Sequence, residues 1–441
     1  MTEALERDGA PDSAGDAETW HRALLGLAGR LPDDLVCEAR AWLAADLRLD
    51  VAQAIAFTAT GGQVDLDDAE LRLIRDELAG SGLDGDLVLA LDQLTRDPAP
   101  APGVPGPHST ISQPSGYQRP GEQPPGSFPD AASAPVVPPV GVAWEFRSGD
   151  PADDGPGAAM PRDLTGDPGA VPLSVIDQAI VDAVRDEPTA VGLWRSWRVP
   201  AGGLSWPRPR RVYIVTVASM PPVEPPSLPS PPSEPAASPL ARSRPAQVAA
   251  RLGAVLAATG ELDPQVEVCP TGVEPPSYQG CARLCGALLW ARRPAAEVTI
   301  ARVFDEVDPV TGPGFAADRP RLSDPDTRAD LLRRLDLGIP VLGTSARMTD
   351  VLDPDRGEVV PMTFRTDGVW VWTDTTSYYL DQHGIVPDPD LVRHLLADPA
   401  AADADEVALH RVLANLLGRP TREPVWVVPQ MDEPTSAPVM P

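Results

Sequence analysis

The sequence contains no lysine; all 36 basic residues are arginine. Asparagine occurs once, at Asn415. The missing lysine excludes whole mechanisms. A Walker A loop needs that residue at the phosphates. Schiff-base and pyridoxal chemistry need its amine, and Ser–Lys nucleophile pairs are excluded with them. Aromatic residues are scarce, at 5%. The cysteines are Cys37, Cys269, Cys281 and Cys285. They are too few and too scattered for a disulfide framework, which points to a reducing compartment. No apolar run approaches the roughly 20 residues of a membrane span. The stretch through Trp20 lacks the basic start and apolar core of an export signal. The expectation is a cytoplasmic protein without membrane contact. Positive charge is also in deficit: 36 basic against 64 acidic residues leave a net charge of −28. Nucleic-acid binding is therefore not expected, because each phosphate contact requires a nearby cation. The cluster Arg195, Arg198, Arg208, Arg210 and Arg211 reads as the flanks of two strands and a loop. The sequence carries no G-x-S-x-G elbow, no H-E-x-x-H zinc motif and no G-x-G-x-x-G fingerprint. No cofactor is expected.

Proline is the abundant residue, 55 in 441, about twice the usual share. It divides the chain. Residues 1–18 are acidic, lack apolar periodicity and read as a disordered tail. Residues 19–97 read as a small helical bundle. Trp20, Leu24, Leu25, Leu27 and Ala28 form one stripe, and Leu35, Ala39, Trp42 and Leu43 another. Pro32 with Asp33 and Asp34 marks a helix start, because proline suits the first turn and acids suit its positive end. Residues 98–139 hold 13 prolines, and 98–172 as a whole reads as a disordered linker. Within it Trp144-Glu145-Phe146 is an apolar island, a docking strand or a short linear motif.

Order resumes at Leu173, and 173–430 reads as an α+β domain. Ile176, Ala179, Ile180, Ala183 and Val184 define an amphipathic helix. Residues 191–199 alternate as a strand, and 212–217 (VYIVTV) are a strand covered on both faces. Gly202-Gly203 between them suggests a hairpin. Residues 221–245, with 10 prolines, read as a disordered insertion, which a domain tolerates because loop closure costs only logarithmically in length. A helix at Val248–Leu256, a strand at 265–268, a helix over 278–292 and a strand over 297–303 follow. Two β-α-β steps imply partly parallel pairing. Asp367-Gly368 between two strand-like runs predicts a type I′ hairpin. Thr373 or Asp374 would cap the next helix, and Gly384 would end it in the left-handed conformation. Short helices from Pro387 and over 407–417, a terminal strand at 425–428 and a disordered tail at 431–441 complete the reading. The fold class is α+β: a helical bundle, a proline-rich linker and a mixed-sheet body with a hairpin–helix unit.

Four constellations are candidates for chemistry or binding. Asp305, Glu306 and Asp308 follow the strand over 297–303, where carboxylates hold Mg²⁺ in phosphoryl-transfer enzymes. An acidic loop before a proline is the plainer reading in so acidic a chain. Cys281 and Cys285 share a helix face beside Cys269, which a metal or redox site could use, but no His lies close in sequence to complete a ligand set and core packing is the plainer reading. His383 and His394 lie on consecutive helices, as caps or surface residues. Trp370, Trp372, Tyr378 and Tyr379 put four aromatics within ten residues, forming a packed core or a recognition surface.

The run Val360-Pro361-Met362-Thr363-Phe364-Arg365-Thr366-Asp367-Gly368, with Trp370, Trp372, Tyr378-Tyr379-Leu380 and His383-Gly384, resembles a carboxy-terminal module of uncharacterised actinobacterial proteins. The likeness extends back through Phe304-Asp305-Glu306-Val307-Asp308 and covers about residues 175–397. It implies an accessory or conflict-system component and brings no activity. The sequence thus reads as a non-enzymatic interaction or adaptor protein with a protein partner. The alternative is a metal-dependent hydrolase or transferase using Asp305, Glu306 and Asp308.

Overall fold

A computed structural model describes residues 13–82, 85–96, 143–153, 161–166, 172–201, 207–218, 245–397, 404–417 and 425–427. The expectations for 98–139, 221–244, 431–441 and the Gly202-Gly203 turn lie outside these residues; Pro245, read as the end of the insertion, is instead the first residue of a helix.

Five helices form the first unit: α1 (Ser13–Leu27), α2 (Asp33–Ala44), α3 (Arg48–Thr60), α4 (Asp68–Ser81) and α5 (Gly85–Arg96). The apolar stripes meet inside it. Trp20, Leu24, Leu27, Leu31, Val36, Ile55 and Ile74 are all buried. Helix α4 begins with a reciprocal capping box. Asp67 accepts from the Glu70 amide, and the Glu70 carboxylate accepts from the Asp67 amide. Glu70 also pairs with Arg30 at 2.7 Å, tying α4 to the end of α1. One boundary differs from expectation. Helix α1 starts at Ser13, inside the segment read as a tail, because its buried face already begins at Ala17.

The second unit is built on a six-stranded mixed sheet. Its strands are β1 (Ala143–Arg147), β2 (Ala190–Pro200), β3 (Arg210–Val217), β4 (Gln265–Pro270), β5 (Ala287–Ala291) and the late-arriving β14 (Val425–Val427). The central strand, β2, pairs antiparallel with β3 along one edge. Its other edge is shared: β5 takes Gly192–Arg195 and β1 takes Trp197–Pro200. Strand β14 closes the outer side of β1. Helix α6 (Val175–Arg185) and α7 (Pro245–Ala258) pack on one face, where Ile180, Val184, Leu193, Tyr213, Val215, Leu252, Val268 and Leu289 form the core. Helix α8 (Ser277–Cys285) lies on the other, beside Phe146, whose ring meets Tyr278 edge-on.

The α+β class stands, and the β3–α7–β4 step is parallel as expected. Three local readings change. Trp144-Glu145-Phe146 belongs to the sheet, not to a linker: Trp144 and Phe146 are buried in β1. The single helix expected over 278–292 is helix α8 followed by strand β5. Gly286 separates them, because a Cβ there would lie 2.8 Å from the Ala282 carbonyl and 2.9 Å from that of Arg195. The strand expected over 297–303 shrinks to Thr299–Ile300, named β6. The second β-α-β step therefore ends on β2, antiparallel, rather than beside β4.

The rest of this unit carries short strands. They are β7 (Glu306–Asp308) and β8 (Gly312–Gly314), then β9 (Ile339–Leu342) after helix α9 (Pro325–Asp336), then β10 (Arg347–Thr349), β11 (Glu358–Pro361), β12 (Phe364–Thr366) and β13 (Trp370–Thr373). Strands β6, β13, β12 and β9 make one sheet, with β6 parallel to β13. Strands β7 and β8 form a hairpin, and β10 pairs with β11. Helices α10 (Asp374–His383) and α11 (Pro389–Ala397) follow. Helix α12 (Glu406–Leu417) then returns to the large sheet, packing on β2 and β5.

The β12–β13 hairpin is real, but its turn is not type I′. Gly368 has the expected positive φ, 95°, whereas Asp367 stays at negative φ. Side chains build the turn instead. Asp367 Oδ1 accepts from the amides of Val369 and Trp370, and Thr366 Oγ1 accepts from Gly368. Thr373 occupies the N-cap of α10 but makes no side-chain cap bond. Gly384 ends that helix with φ of 67°, left-handed as expected.

Candidate functional site

The β13–α10 junction brings the four aromatics together and divides them by role. Trp372 and Tyr379 are core. Trp372 is 1% exposed, and its Nε1 donates to the Leu335 carbonyl at 3.2 Å. Gly338 makes room for that ring, since a Cβ there would fall 2.2 Å from its Cζ2. Tyr379 packs edge-on against Phe304 and Phe315, and its hydroxyl accepts from the Val351 amide at 3.0 Å. Trp370 and Tyr378 are half-buried and belong to two polar assemblies.

Asp350 centres the first assembly. Its side chain is fully buried. Oδ1 accepts from the amides of Leu352 and Asp353, which fixes the loop after β10. Oδ2 accepts from the Tyr378 hydroxyl at 2.9 Å and lies 2.7 Å from His383 Nε2. That ring nitrogen therefore carries the proton. Arg356 closes the group. It donates to the Tyr378 hydroxyl at 3.2 Å and to Gln382 at 2.8 Å, and stands 3.8 Å from Asp350. Burial works to raise the Asp350 pKa. The hydrogen bonds from His383, Leu352 and Tyr378 outweigh it and hold the carboxyl below its ordinary value. Tyr378 is shifted the other way, upward, by burial and by the adjacent Asp350 charge.

Asp367 centres the second. One carboxylate oxygen holds its own turn, and the other meets His394 Nε2 on α11. The His394 ring stacks on Trp370, with centroids 5.9 Å apart and planes 30° from parallel. Asp367–His394 thus clamps the hairpin to α11, as Asp350–His383 clamps the β10–β11 connection to α10.

The strand-end carboxylates do not converge. Asp305 is paired with Arg319, which in turn donates to the Val386 carbonyl at 2.9 Å, and Asp305 also accepts from the Ala316 amide. Asp308 sits exposed in the β7–β8 turn, where its Oδ1 accepts from Val310 and Thr311. Those backbone bonds lower its pKa. Glu306 is exposed on β7. Among the described residues no group of three or more His, Cys, Asp or Glu side chains is placed to hold a metal ion. Cys269 and Cys285 are buried and Cys281 half-buried; burial raises the Cys281 pKa.

Sequence reasoning singled out Tyr378, His383, Trp370 and His394 but missed both aspartates as their partners. Asp350 lies 33 residues before His383, in a chain with 64 acids, and no local spacing distinguishes it. Asp367 was noticed only as a turn former. A usable signal was the pair of turn-forming acids, each entering a helix–strand unit that carries one histidine.

Chemically, both assemblies are brackets. A Tyr378 hydroxyl that donates to Asp350 and has a raised pKa remains a neutral phenol at neutral pH. It is suited to hydrogen bonding rather than to attack as a phenolate. Trp370, Tyr378 and His383 are half-buried and Arg356 is exposed, so all four retain surface while hydrogen bonds and ring contacts hold them from beneath. Comparison with protein-family models, with curated proteins and with solved structures returned no match.

Proposed function

We propose that this chain is a non-enzymatic interaction protein of the cytoplasm. Its helical bundle recruits one partner and its α+β body binds another protein or peptide, in an accessory role within a conflict or signalling system. One observation carries the reading. The polar groups of the candidate site are engaged with one another, through Asp350 and Asp367, so as to lock loops around partly exposed aromatic and arginine side chains. Rigid Trp, Tyr and Arg anchors are the residues that dominate binding energy at protein interfaces. Pre-organised side chains also lose less entropy on binding.

The hydrolase alternative has less support. It needs Asp305, Glu306 and Asp308 free to bind a cation together, whereas Asp305 is tied to Arg319 and Asp308 to two backbone amides.

The test is proximity labelling and affinity capture in the native host with the wild type and the double variant Trp370→Ala/Tyr378→Ala. The expected result is loss of specific partners while the fold is retained by circular dichroism. An unchanged partner set in a folded variant would remove the β13–α10 face from the proposal.

A further inference from the structure

Helix α12 reaches two separate parts of the second unit. It packs on β2 and β5 of the large sheet. Through Ala408, and through Ala404 just before it, it also meets the β12–β13 turn. A Cβ on Gly368 would lie 3.0 Å from the Ala404 side chain and 3.1 Å from that of Ala408. That turn carries Asp367, the partner of His394.

The docking is narrow. The buried residues of α12 are Val407, His410 and Val412. Polar anchors supply the rest. Glu406 Oε1 accepts from the Gly272 amide at 2.8 Å. Arg411 meets Asp163 at 3.1 Å and donates to the Thr165 hydroxyl at 2.9 Å. His410, 5% exposed, donates from Nε2 to the Arg162 carbonyl at 2.9 Å, and its ring meets the buried Trp194 edge-on at 5.8 Å. Elements with few buried apolar side chains are the first to open in a folded protein.

The His410 ring is neutral in this arrangement. A carbonyl only accepts, so Nε2 carries the proton and a second one would go to Nδ1. That second proton gains no bond from the Arg162 carbonyl and places a charge in a buried position. The charged groups around it divide. Arg162 and, from α8, Arg283 repel a cation, whereas Asp163 favours one. Asp163 is already engaged by Arg411 and Thr165. Glu406, one turn earlier on α12, is the acid on the same helix face; its Oε2 is buried without a hydrogen-bond partner. Burial prevails, and the His410 pKa is lowered to about 4. Undocked in water, an imidazole titrates at about 6.5. The docked helix therefore excludes a proton that the undocked helix accepts.

We propose that α12 is an acid-released strap: a proton taken up by His410 frees it from β2 and β5, uncovers Trp194 and unpins the β12–β13 turn. The release is independent of the interaction reading. Its use, to loosen the hairpin that carries Asp367 and Trp370, rests on that reading.

Hydrogen exchange of the full chain, followed by mass spectrometry at pH of about 7.5 and about 5 and corrected for intrinsic rates, tests the release without any partner. At both pH values the amides of α12 should exchange at least about 100-fold faster than those of β3, which marks local opening. Acidification should speed α12 by about 30-fold, and the β12–β13 turn in step with it. In His410→Gln, whose amide can still donate to the Arg162 carbonyl, the two pH values should give the same rates, whether or not the helix stays docked. Equal protection of α12 and β3 would overturn the proposal, since the helix would then leave only on global unfolding. So would an acid response below about threefold in the wild type, a full response in His410→Gln, or a turn that stays protected while α12 opens.

Discussion

At the scale of single residues, burial decides which aspartate matters. Asp350 and Asp308 both accept two backbone amides, yet Asp350 is sealed and also faces Tyr378 and His383. Asp350→Ala would strand those donors and is expected to cost about 3–5 kcal/mol by chemical denaturation. Asp308→Asn, at an exposed turn, is expected to leave the midpoint nearly unchanged. Glycine positions give equally sharp expectations. A Cβ on Gly192 would stand 2.6 Å from the Trp194 ring and 2.7 Å from Val407. Gly192→Ala should therefore cost about 1–3 kcal/mol by overpacking. Gly368 combines φ of 95° with Ala404 at 3.0 Å from a notional Cβ. Gly368→Val should cost roughly 1–3 kcal/mol through strain. Thermal melts of the two variants check both figures, and a wild-type midpoint in either would refute the overpacking or strain assigned to that glycine.

At the scale of elements, the docking of helix α12 depends on the protonation of one residue. It docks through His410, whose pKa is lowered to about 4, chiefly by burial; Arg162 and Arg283 push it down further, while Asp163 and the bond to the Arg162 carbonyl pull it up. Between pH of about 6.5 and 4 the unfolded chain takes up a proton that the folded chain excludes. The stabilisation is thus complete above pH of about 6.5 and declines on acidification, by about 3 kcal/mol across the window. Urea midpoints at several pH values should show this slope in the wild type and a shallower one in His410→Leu. Equal slopes would mean that other groups dominate.

Elements also show what the sequence made legible. Helix α6 and strand β3 were readable because one pattern of apolar spacing specified each. Strand β1 was legible only as one of two alternatives, a docking strand or a linear motif, since its five residues are settled by pairing with β2 and β14. Strand β5 was hidden because Ala287-Leu288-Leu289 suits a helix equally well. What breaks the helix is Gly286 meeting the Arg195 carbonyl, a contact between distant segments. The Asp350–His383 pair was invisible for the same reason.

At the scale of the molecule, the bundle has its own closed core around Trp20, Leu24, Ile55 and Ile74. A fragment spanning residues 13–96 is expected to keep its helical circular dichroism and melt cooperatively, and a featureless melt would argue against that. The body is assembled on another timetable. Strand β14 pairs with β1 across about 280 residues of chain. A ribosome adding about 5–20 residues per second therefore exposes the outer backbone of β1 for roughly 15–60 seconds before its cover is made. An uncovered strand edge is a template for pairing with other chains. The nascent body thus passes through an interval of vulnerability to chaperone capture or co-aggregation, and its length is set by translation speed rather than by folding rate.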